Sequence, residues 1–203
     1  SAAAASAADA LPPRPSILVF GAGVQAEGHL RAAAVEFPGA RFGVVGRNPT
    51  NVASLRSRLP EWDVQDRSGD AEVAIGEADI VICTTSSDTA IFDGSLVRDG
   101  AIVAAVGTHG RERREIDDAL VQRADLVVEG RASARRENGN LATALTDLDW
   151  DSESRPTNLR ELVGGDMTRR PGRPAFYTGV GMSWEDLICA AAVFAEGRLE
   201  SRR

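Results

Sequence analysis

Residues Ile17-Leu-Val-Phe20 run directly into Gly21-Ala-Gly23-Val-Gln-Ala26, and this stretch decides the fold. A short apolar run that ends in glycine predicts a buried strand, and the spacing of apolar residues over 25–36 predicts a helix. Between the two stands the pattern G-x-G-x-x-A. In such a loop the first glycine makes a tight turn, the second lets a pyrophosphate approach the backbone, and the small third residue lets the helix pack on the strand.

This loop predicts a dinucleotide site, because the N–H groups at a helix N-terminus and the helix dipole both attract phosphate. The cofactor-binding residues predicted here are Gly21, Gly23, Val24, Gln25 and Ala26. The alternative is a glycine-rich turn with a structural role alone.

The residues that follow alternate between strand and helix patterns. Strands are predicted at 17–20, 41–45, 63–65, 80–83, 102–106 and 126–128, and helices at 25–36, 49–59, 72–75 and after Asp117, which caps a helix through Leu120. Residues 145–157 are predicted to be a surface loop. Strands that alternate with helices indicate βαβ units, so we expect an α/β fold with a Rossmann-like, doubly wound, mostly parallel sheet.

The segment after the second strand predicts which dinucleotide is bound. An NAD site usually carries an acidic residue there, whereas this chain reads Gly46-Arg47-Asn48-Pro49-Thr50. A guanidinium pairs with phosphate, so Arg47, Asn48 and Thr50 favour NADP(H) over NAD(H). The alternative is a solvent-facing arginine in a turn, with NAD or no cofactor bound. After the fourth strand, Thr84, Thr85 and Ser86 suit contacts to ribose and nicotinamide.

Composition excludes several classes of protein. The net charge of −7 over 203 residues argues against nucleic-acid binding, and no apolar run approaches the roughly 20 residues of a membrane span. The two cysteines are too few for a disulfide scaffold and favour a reducing cytoplasm. All 23 basic residues are arginine, which excludes a lysine Schiff base. No cluster of residues has metal-ligand spacing.

Several conspicuous residues have ordinary structural explanations. Residues 111–115 and 131–136 carry charges of both signs and are predicted to be solvated surfaces. Cys83 is predicted to be an inert core residue, and His29 to be structural. Ser183 and Asp186 fit a capping box, with Ser183 as the N-cap of a C-terminal helix that carries an apolar face and should pack on other residues.

Six motifs in order resemble those of the ornithine cyclodeaminase/μ-crystallin family. They begin at Gly21, Asp79, Asp99, Arg114, Glu137 and Val180, and read GAGVQAEGHL, DIVICTTSS, DGAIVAAVG, REID, ENGNL and VGMSWED. The resemblance covers essentially the whole chain and extends the expected cofactor site to Val106, Gly107, Val180 and Gly181. It implies a Rossmann domain over residues 1–170 with a leading Ala-rich helix. Residues 171–203 would be a strand and helix that return to an N-terminal domain.

The same resemblance implies an NAD(P)H-dependent oxidoreductase that reduces a cyclic ketimine or α-imino acid. Alternatives within the family are an ornithine cyclodeaminase, with NAD as a hydride shuttle, and a non-catalytic NADPH-binding storage or regulatory protein. Family members dimerise and bind the substrate carboxylate through the N-terminal domain. We expect that domain to lie outside these residues, and we therefore expect these residues alone to be inactive.

One position departs from the cyclodeaminase pattern. Where those enzymes carry an aspartate after Val-Gly-(Gly/Ala), this chain reads Val106-Gly107-Thr108-His109. A histidine side chain can give or take a proton near neutral pH, so His109 is the candidate catalytic residue. The alternative is a loop histidine that bonds backbone or solvent.

Overall fold

The structure, a computed structural model, describes residues 11–200, with side chains as far as residue 195. The Ala-rich helix predicted at the start of the chain falls on residues 1–10 and lies outside the described residues. Eight strands form one sheet, namely β1 (Ser16–Phe20), β2 (Arg41–Val45), β3 (Val64–Asp66), β4 (Ile80–Cys83), β5 (Ile102–Ala105), β6 (Asp125–Val128), β7 (Thr157–Asn158) and β8 (Ala175–Thr178).

Helices connect the strands. In chain order they are α1 (Val24–Glu36), α2 (Pro49–Ser57), α3 (Ala71–Glu77), α4 (Asp118–Arg123), α5 (Arg131–Glu137), α6 (Gly139–Ala142), α7 (Asp147–Asp151), α8 (Leu159–Gly164) and α9 (Ser183–Glu200). The predicted elements from β1 to β6 are all present, with ends that differ by one or two residues, and Asp117 caps α4 as expected.

The sheet is parallel throughout, in the order β3-β2-β1-β4-β5-β8-β6-β7, which confirms the predicted fold class. The strand order reverses between β1 and β4. Phe20 pairs with both Val45 and Cys83, and Ala105 pairs with both Cys83 and Thr178. The carboxyl ends of these strands are therefore flush along one edge of the sheet.

Each face of the sheet is covered by its own cluster of apolar side chains. In β1, Leu18 and Phe20 pack into one cluster with α3, α4 and β8, whereas Ile17 and Val19 pack into the other with α1 and α2. This alternation is the period-two pattern of a strand that is buried on both sides.

The prediction of a surface loop over 145–157 is wrong for residues 147–151. Residues 147–151 form α7, which begins with a capping box between Thr146 and Asp149. The helix turns Trp150 into the core, where the side chain is 7% exposed. A five-residue helix is too short to show a periodicity, so its apolar pattern gave no signal.

The C-terminal segment also differs from its prediction in two ways. Helix α9 begins at Ser183, and the carboxylate of Glu185, not Asp186, accepts a hydrogen bond from the N–H of Met182. On the expected apolar face, Leu187, Ala190 and Ala191 are exposed. The preceding strand, β8, lies between β5 and β6, so the sheet continues across residue 171. Within residues 11–200, no helix has the length and apolar character that a membrane crossing needs.

Candidate functional site

The glycine loop lies where the strand order reverses. Gly21 leaves β1 with φ of +111°, and its N–H donates to the carbonyl of Val45 at 2.9 Å. A Cβ on Gly21 would meet Oγ1 of Thr84 at 2.6 Å. Glycine is therefore required twice, once for the positive φ and once for the close approach of β4. In open α/β sheets, ligands bind in the crevice outside the strand ends at such a reversal.

Helix α1 points an uncapped N-terminus at this crevice. Gly23 is the N-cap residue, makes no side-chain cap, and has open space where a Cβ would stand. Val24 and Gln25 are exposed beside it, whereas Ala26 is fully buried and packs in the core. Four of the five predicted loop residues are thus partly or fully exposed, and Ala26 allows the close packing of helix on strand. This geometry fits a pyrophosphate, because free N–H groups and the helix dipole favour an anion there.

The end of β2 lies beside the glycine loop. Arg47 is exposed and forms no ion pair with any residue between 11 and 195. The side chain of Asn48 caps α2, accepting hydrogen bonds from the N–H groups of Thr50 and Asn51 at 2.9 and 3.3 Å. Asn48 and Thr50 therefore define the start of α2. Arg47 carries a positive charge that no acidic side chain within residues 11–195 neutralises.

The hydroxyl groups after β4 are directed differently from one another. Thr84 donates from Oγ1 to the carbonyl of Phe20 at 2.9 Å, and Thr85 donates from Oγ1 to Glu115 at 2.8 Å. Both hydroxyl hydrogens are therefore used within the protein. Ser86 is exposed at the same edge.

Glu115 is a buried charged residue at this edge of the sheet that the sequence does not single out. It was predicted to lie on a solvated surface with the rest of 111–115, and this is wrong, because its side chain is fully buried. One carboxylate oxygen accepts the N–H of Thr85 at 2.6 Å, and the other accepts the N–H of Gly107 at 2.9 Å. Burial raises the pKa of Glu115, and the hydrogen bonds from Thr85, Gly107 and Thr108 oppose that rise. The sequence offers one signal that Glu115 is buried, because the apolar Ile116 and the helix cap at Asp117 follow it directly.

A buried polar network continues from Glu115 to β8. The side-chain oxygen of Asn140 accepts the N–H groups of Glu115 and Ile116 at 2.8 and 3.1 Å. Its amide nitrogen donates to Oγ1 of Thr178 at 3.0 Å, as does that of Asn138. The ends of β4, β5 and β8 are thus joined through buried hydrogen bonds, which order them relative to one another.

A second carboxylate organises the loop after β8. Glu129, at the end of β6, accepts the N–H groups of Val180 and Gly181, each at 3.0 Å, and the hydroxyl of Tyr177 at 3.3 Å. The pKa of Glu129 is raised, chiefly by burial and further by the charge of Glu185. The backbone donors of Val180 and Gly181, both predicted to bind cofactor, are therefore held by Glu129.

His109 lies beyond the end of β5. Val106 and Gly107 form the turn, and a Cβ on Gly107 would collide with the backbone of Thr84 and Thr85. Thr108 is buried, and its hydroxyl has no partner in the described part of the chain. His109 itself is exposed, on the same edge of the sheet as the glycine loop. The predicted site residues thus come together along one edge, apart from Ala26.

The other conspicuous features lie elsewhere or have ordinary explanations. A cavity of about 700 Å³ opens at the opposite edge of the sheet, where Ser16, Arg41 and Asp79 line it. Burial and the charge of Glu115 raise the pKa of the Cys83 thiol, as expected for an inert core cysteine. Nδ1 of His29 lies 2.8 Å from the carbonyl of Gln25. No group of three or more metal-ligating side chains occurs among the residues described.

Comparisons with known proteins point to one family. A sequence model of the ornithine cyclodeaminase/mu-crystallin family matches residues 2–201. Ketimine reductase mu-crystallin of Mus musculus is 29% identical over 184 residues, which are 90% of this chain and 56% of that protein. Delta(1)-pyrroline-2-carboxylate/Delta(1)-piperideine-2-carboxylate reductase of Azospirillum brasilense is 34% identical over 192 residues, which are 92% of this chain and 57% of that protein.

A solved structure extends the similarity to the fold. Thermococcus litoralis Delta(1)-pyrroline-2-carboxylate reductase, in complex with NADH and L-proline, superimposes with a TM-score of 0.80 at 24% identity. The match covers 98% of this chain and 64% of that one. The chain thus spans little more than half the length of the two sequence relatives. The family match over residues 2–201 is nevertheless nearly complete, and the chain belongs to the ornithine cyclodeaminase/mu-crystallin family.

Proposed function

We propose that this chain is the cofactor-binding part of an NADP(H)-dependent reductase whose substrate is a cyclic ketimine or an α-imino acid. The observation that carries the proposal is the uncapped N-terminus of α1, reached through a glycine turn at the reversal of strand order. The names of the two sequence relatives, a ketimine reductase and a pyrroline- and piperideine-carboxylate reductase, support the substrate class.

The residues of the chain divide into those that would bind the cofactor and one that would handle a proton. The helix N–H groups after Gly23 would bind the pyrophosphate, and the turns at Thr85 and Gly107 would hold the nicotinamide half. When bound, NADPH would supply the hydride for reduction of the imine carbon. His109 would hold the proton that the imine nitrogen takes up, so that C=N becomes CH–NH.

Arg47 supports the choice of NADP(H). Its guanidinium is exposed beside the glycine loop and is unpaired within residues 11–195, so it is available to a 2′-phosphate. We expect NADPH to bind at least tenfold more tightly than NADH, a difference of about 1.4 kcal/mol. Calorimetric titration measures both affinities, and equal values would contradict the proposal.

The substitution Arg47→Asp tests the same point more sharply. It should weaken NADPH binding at least tenfold and leave NADH binding within about threefold, because the carboxylate repels a phosphate that NADH lacks. Arg160→Asp is the matched control, since Arg160 is also exposed and lies on α8, beyond β6 and β7. An equal effect of the two variants on NADPH would show that Arg47 acts only through net charge.

The activity is tested on a longer protein that includes the segment its relatives carry beyond this match. We expect it to oxidise NADPH when piperideine-2-carboxylate is supplied, followed at 340 nm. Release of ammonia from ornithine without net cofactor turnover would indicate a cyclodeaminase instead. Cofactor binding without either reaction would indicate a storage or regulatory protein.

The proposal also covers the cellular compartment and the oligomeric state of the protein. Cys83 and Cys189 are both free, and we place the protein in a reducing cytoplasm on that ground. We also propose that it acts as a homodimer through a segment outside this chain, as the family resemblance implies.

A further inference from the structure

Glu115 joins the two turns that border the expected nicotinamide position. Oε1 accepts both the N–H and the hydroxyl of Thr85, at 2.6 and 2.8 Å, and Oε2 accepts the N–H of Gly107 at 2.9 Å. Thr85 follows β4 and Gly107 follows β5, and neither strand supplies a partner for these groups. A single buried side chain therefore connects the two strand ends.

The chemistry of the contact requires a carboxylate. Every group that faces the two oxygens is a donor, and a carboxylate is an acceptor at both oxygens. Glutamine would place an amide NH₂ against one of these donors and leave a buried donor without an acceptor. Charge-assisted hydrogen bonds are also about twice as strong as neutral ones.

Close packing also limits the distance between the turns after β4 and β5. The backbone of Gly107 packs so closely on Thr84 and Thr85 that a Cβ would collide with it. Asn140 holds Glu115 itself, since its side-chain oxygen accepts the N–H groups of Glu115 and Ile116. Small shifts of Glu115 would therefore move the turn that leads to His109.

We propose that Glu115 is a positioning residue that fixes the turns after β4 and β5 as one wall for the nicotinamide half of the cofactor. This inference rests on the proposed function. It concerns half of the ligand only, because the adenosine half would be held by the glycine loop and Arg47, which Glu115 does not contact.

The test compares two ligands on the 203-residue chain and on Glu115→Gln. One ligand is NADPH, and the other is adenosine 2′-phosphate 5′-diphosphate, which lacks the nicotinamide riboside. We expect the variant to bind NADPH at least tenfold more weakly and to bind the adenosine ligand within twofold of wild type. Retained binding of the adenosine ligand also shows that the variant is folded.

Two further variants complete the experiment. Glu112→Gln removes the same charge from an exposed position three residues away and should change neither affinity. Asn140→Ala releases the backbone of Glu115 without touching its carboxylate. It should weaken NADPH selectively, by about threefold, and this provides the test if Glu115→Gln does not fold.

The outcomes separate the two proposals. Equal weakening of both ligands, or no weakening of NADPH in a folded variant, would overturn the positioning role of Glu115. Failure of the wild-type chain to bind either ligand would instead overturn the proposed function.

Discussion

At the scale of single residues, the environment of a side chain decides its role more than its type does. Glu112 and Glu115 belong to the same short charged run, yet Glu112 is exposed and Glu115 is fully buried. The difference arises because Glu115 accepts hydrogen bonds from Thr85 after β4 and Gly107 after β5, which lie 30 and 8 residues away along the chain. Burying a carboxylate is costly unless it is hydrogen-bonded, and these contacts supply the bonds.

The two histidines give a matched pair of variants at the same scale. If His109 holds the proton for the imine nitrogen, His109→Asn should lower the reductive rate of the longer protein by about 10²–10⁴, or roughly 3–5 kcal/mol. Cofactor affinity should hardly change, since His109 lies apart from the glycine loop. His29→Asn is the control, because Nδ1 of His29 lies 2.8 Å from the carbonyl of Gln25 within α1, away from the end of β5. Steady-state kinetics measures the effect, and a rate within threefold of wild type would exclude His109 as the donor.

At the scale of elements, α7 shows how a short helix depends on a buried side chain, in addition to the ion pairs that Asp147 and Asp151 form with Arg135. Trp150 is 7% exposed and packs in the core, whereas Leu148 in the same helix is 82% exposed. Trp150→Ala should lower the free energy of unfolding by about 3–5 kcal/mol, because it removes apolar contacts and leaves a cavity. Leu148→Ala should change it by less than about 0.5 kcal/mol. Urea denaturation measures both, and similar values for the two would show that Trp150 does not anchor the helix.

Helix α8 is attached to the rest of the fold by an ion pair. The carboxylate of Glu161 accepts hydrogen bonds from both terminal nitrogens of Arg131, at 2.5 and 2.7 Å. It also accepts one from the N–H of Asn158 at 3.0 Å. The Arg131 guanidinium, with the Asn158 N–H, lowers the pKa of Glu161 from 4.5 to about 2. A depressed pKa stabilises the fold above the unfolded value, and this contribution is lost as pH falls towards the folded value.

The pH dependence of Glu161→Gln follows from that sign. At pH 7 the variant should be less stable by about 1–2 kcal/mol, since it loses the ion pair and weakens the cap. The difference should shrink as pH falls below 4.5 and be mostly lost near pH 2, where half of the wild-type carboxyl is protonated in the folded state. Urea denaturation from pH 7 to pH 3 checks this, with the exposed Glu153→Gln as control. A difference that does not depend on pH would contradict the assignment.

At the scale of the whole molecule, the sheet carries its own core on both faces, and its flush carboxyl edge carries the predicted cofactor site. We therefore expect the 203-residue chain to fold and to bind NADPH without reducing a ketimine. The physical reason is that the substrate carboxylate needs a cationic partner, which the resemblance places in another domain. Circular dichroism, calorimetric titration and an NADPH oxidation assay test the three parts of this expectation. Turnover at an ordinary enzymatic rate would contradict it.

The sequence by itself determined the elements whose cause is local. The glycine loop, β2 and β4 match their predictions because backbone turns and runs of apolar residues depend on near neighbours. The cap at Asp117 is likewise local, since its side chain accepts the N–H of Leu120 three residues later.

Tertiary structure alone decided the features that join distant residues. Helix α7 departs from the predicted loop because the packing of Trp150 depends on core residues that are distant in the sequence. The place of β8 between β5 and β6 depends on pairing across the sheet, which a strand of four residues does not encode. Glu115 was placed on the surface because charged residues are usually solvated. Its donors come from two other strand ends, and only folding brings those ends to one carboxylate.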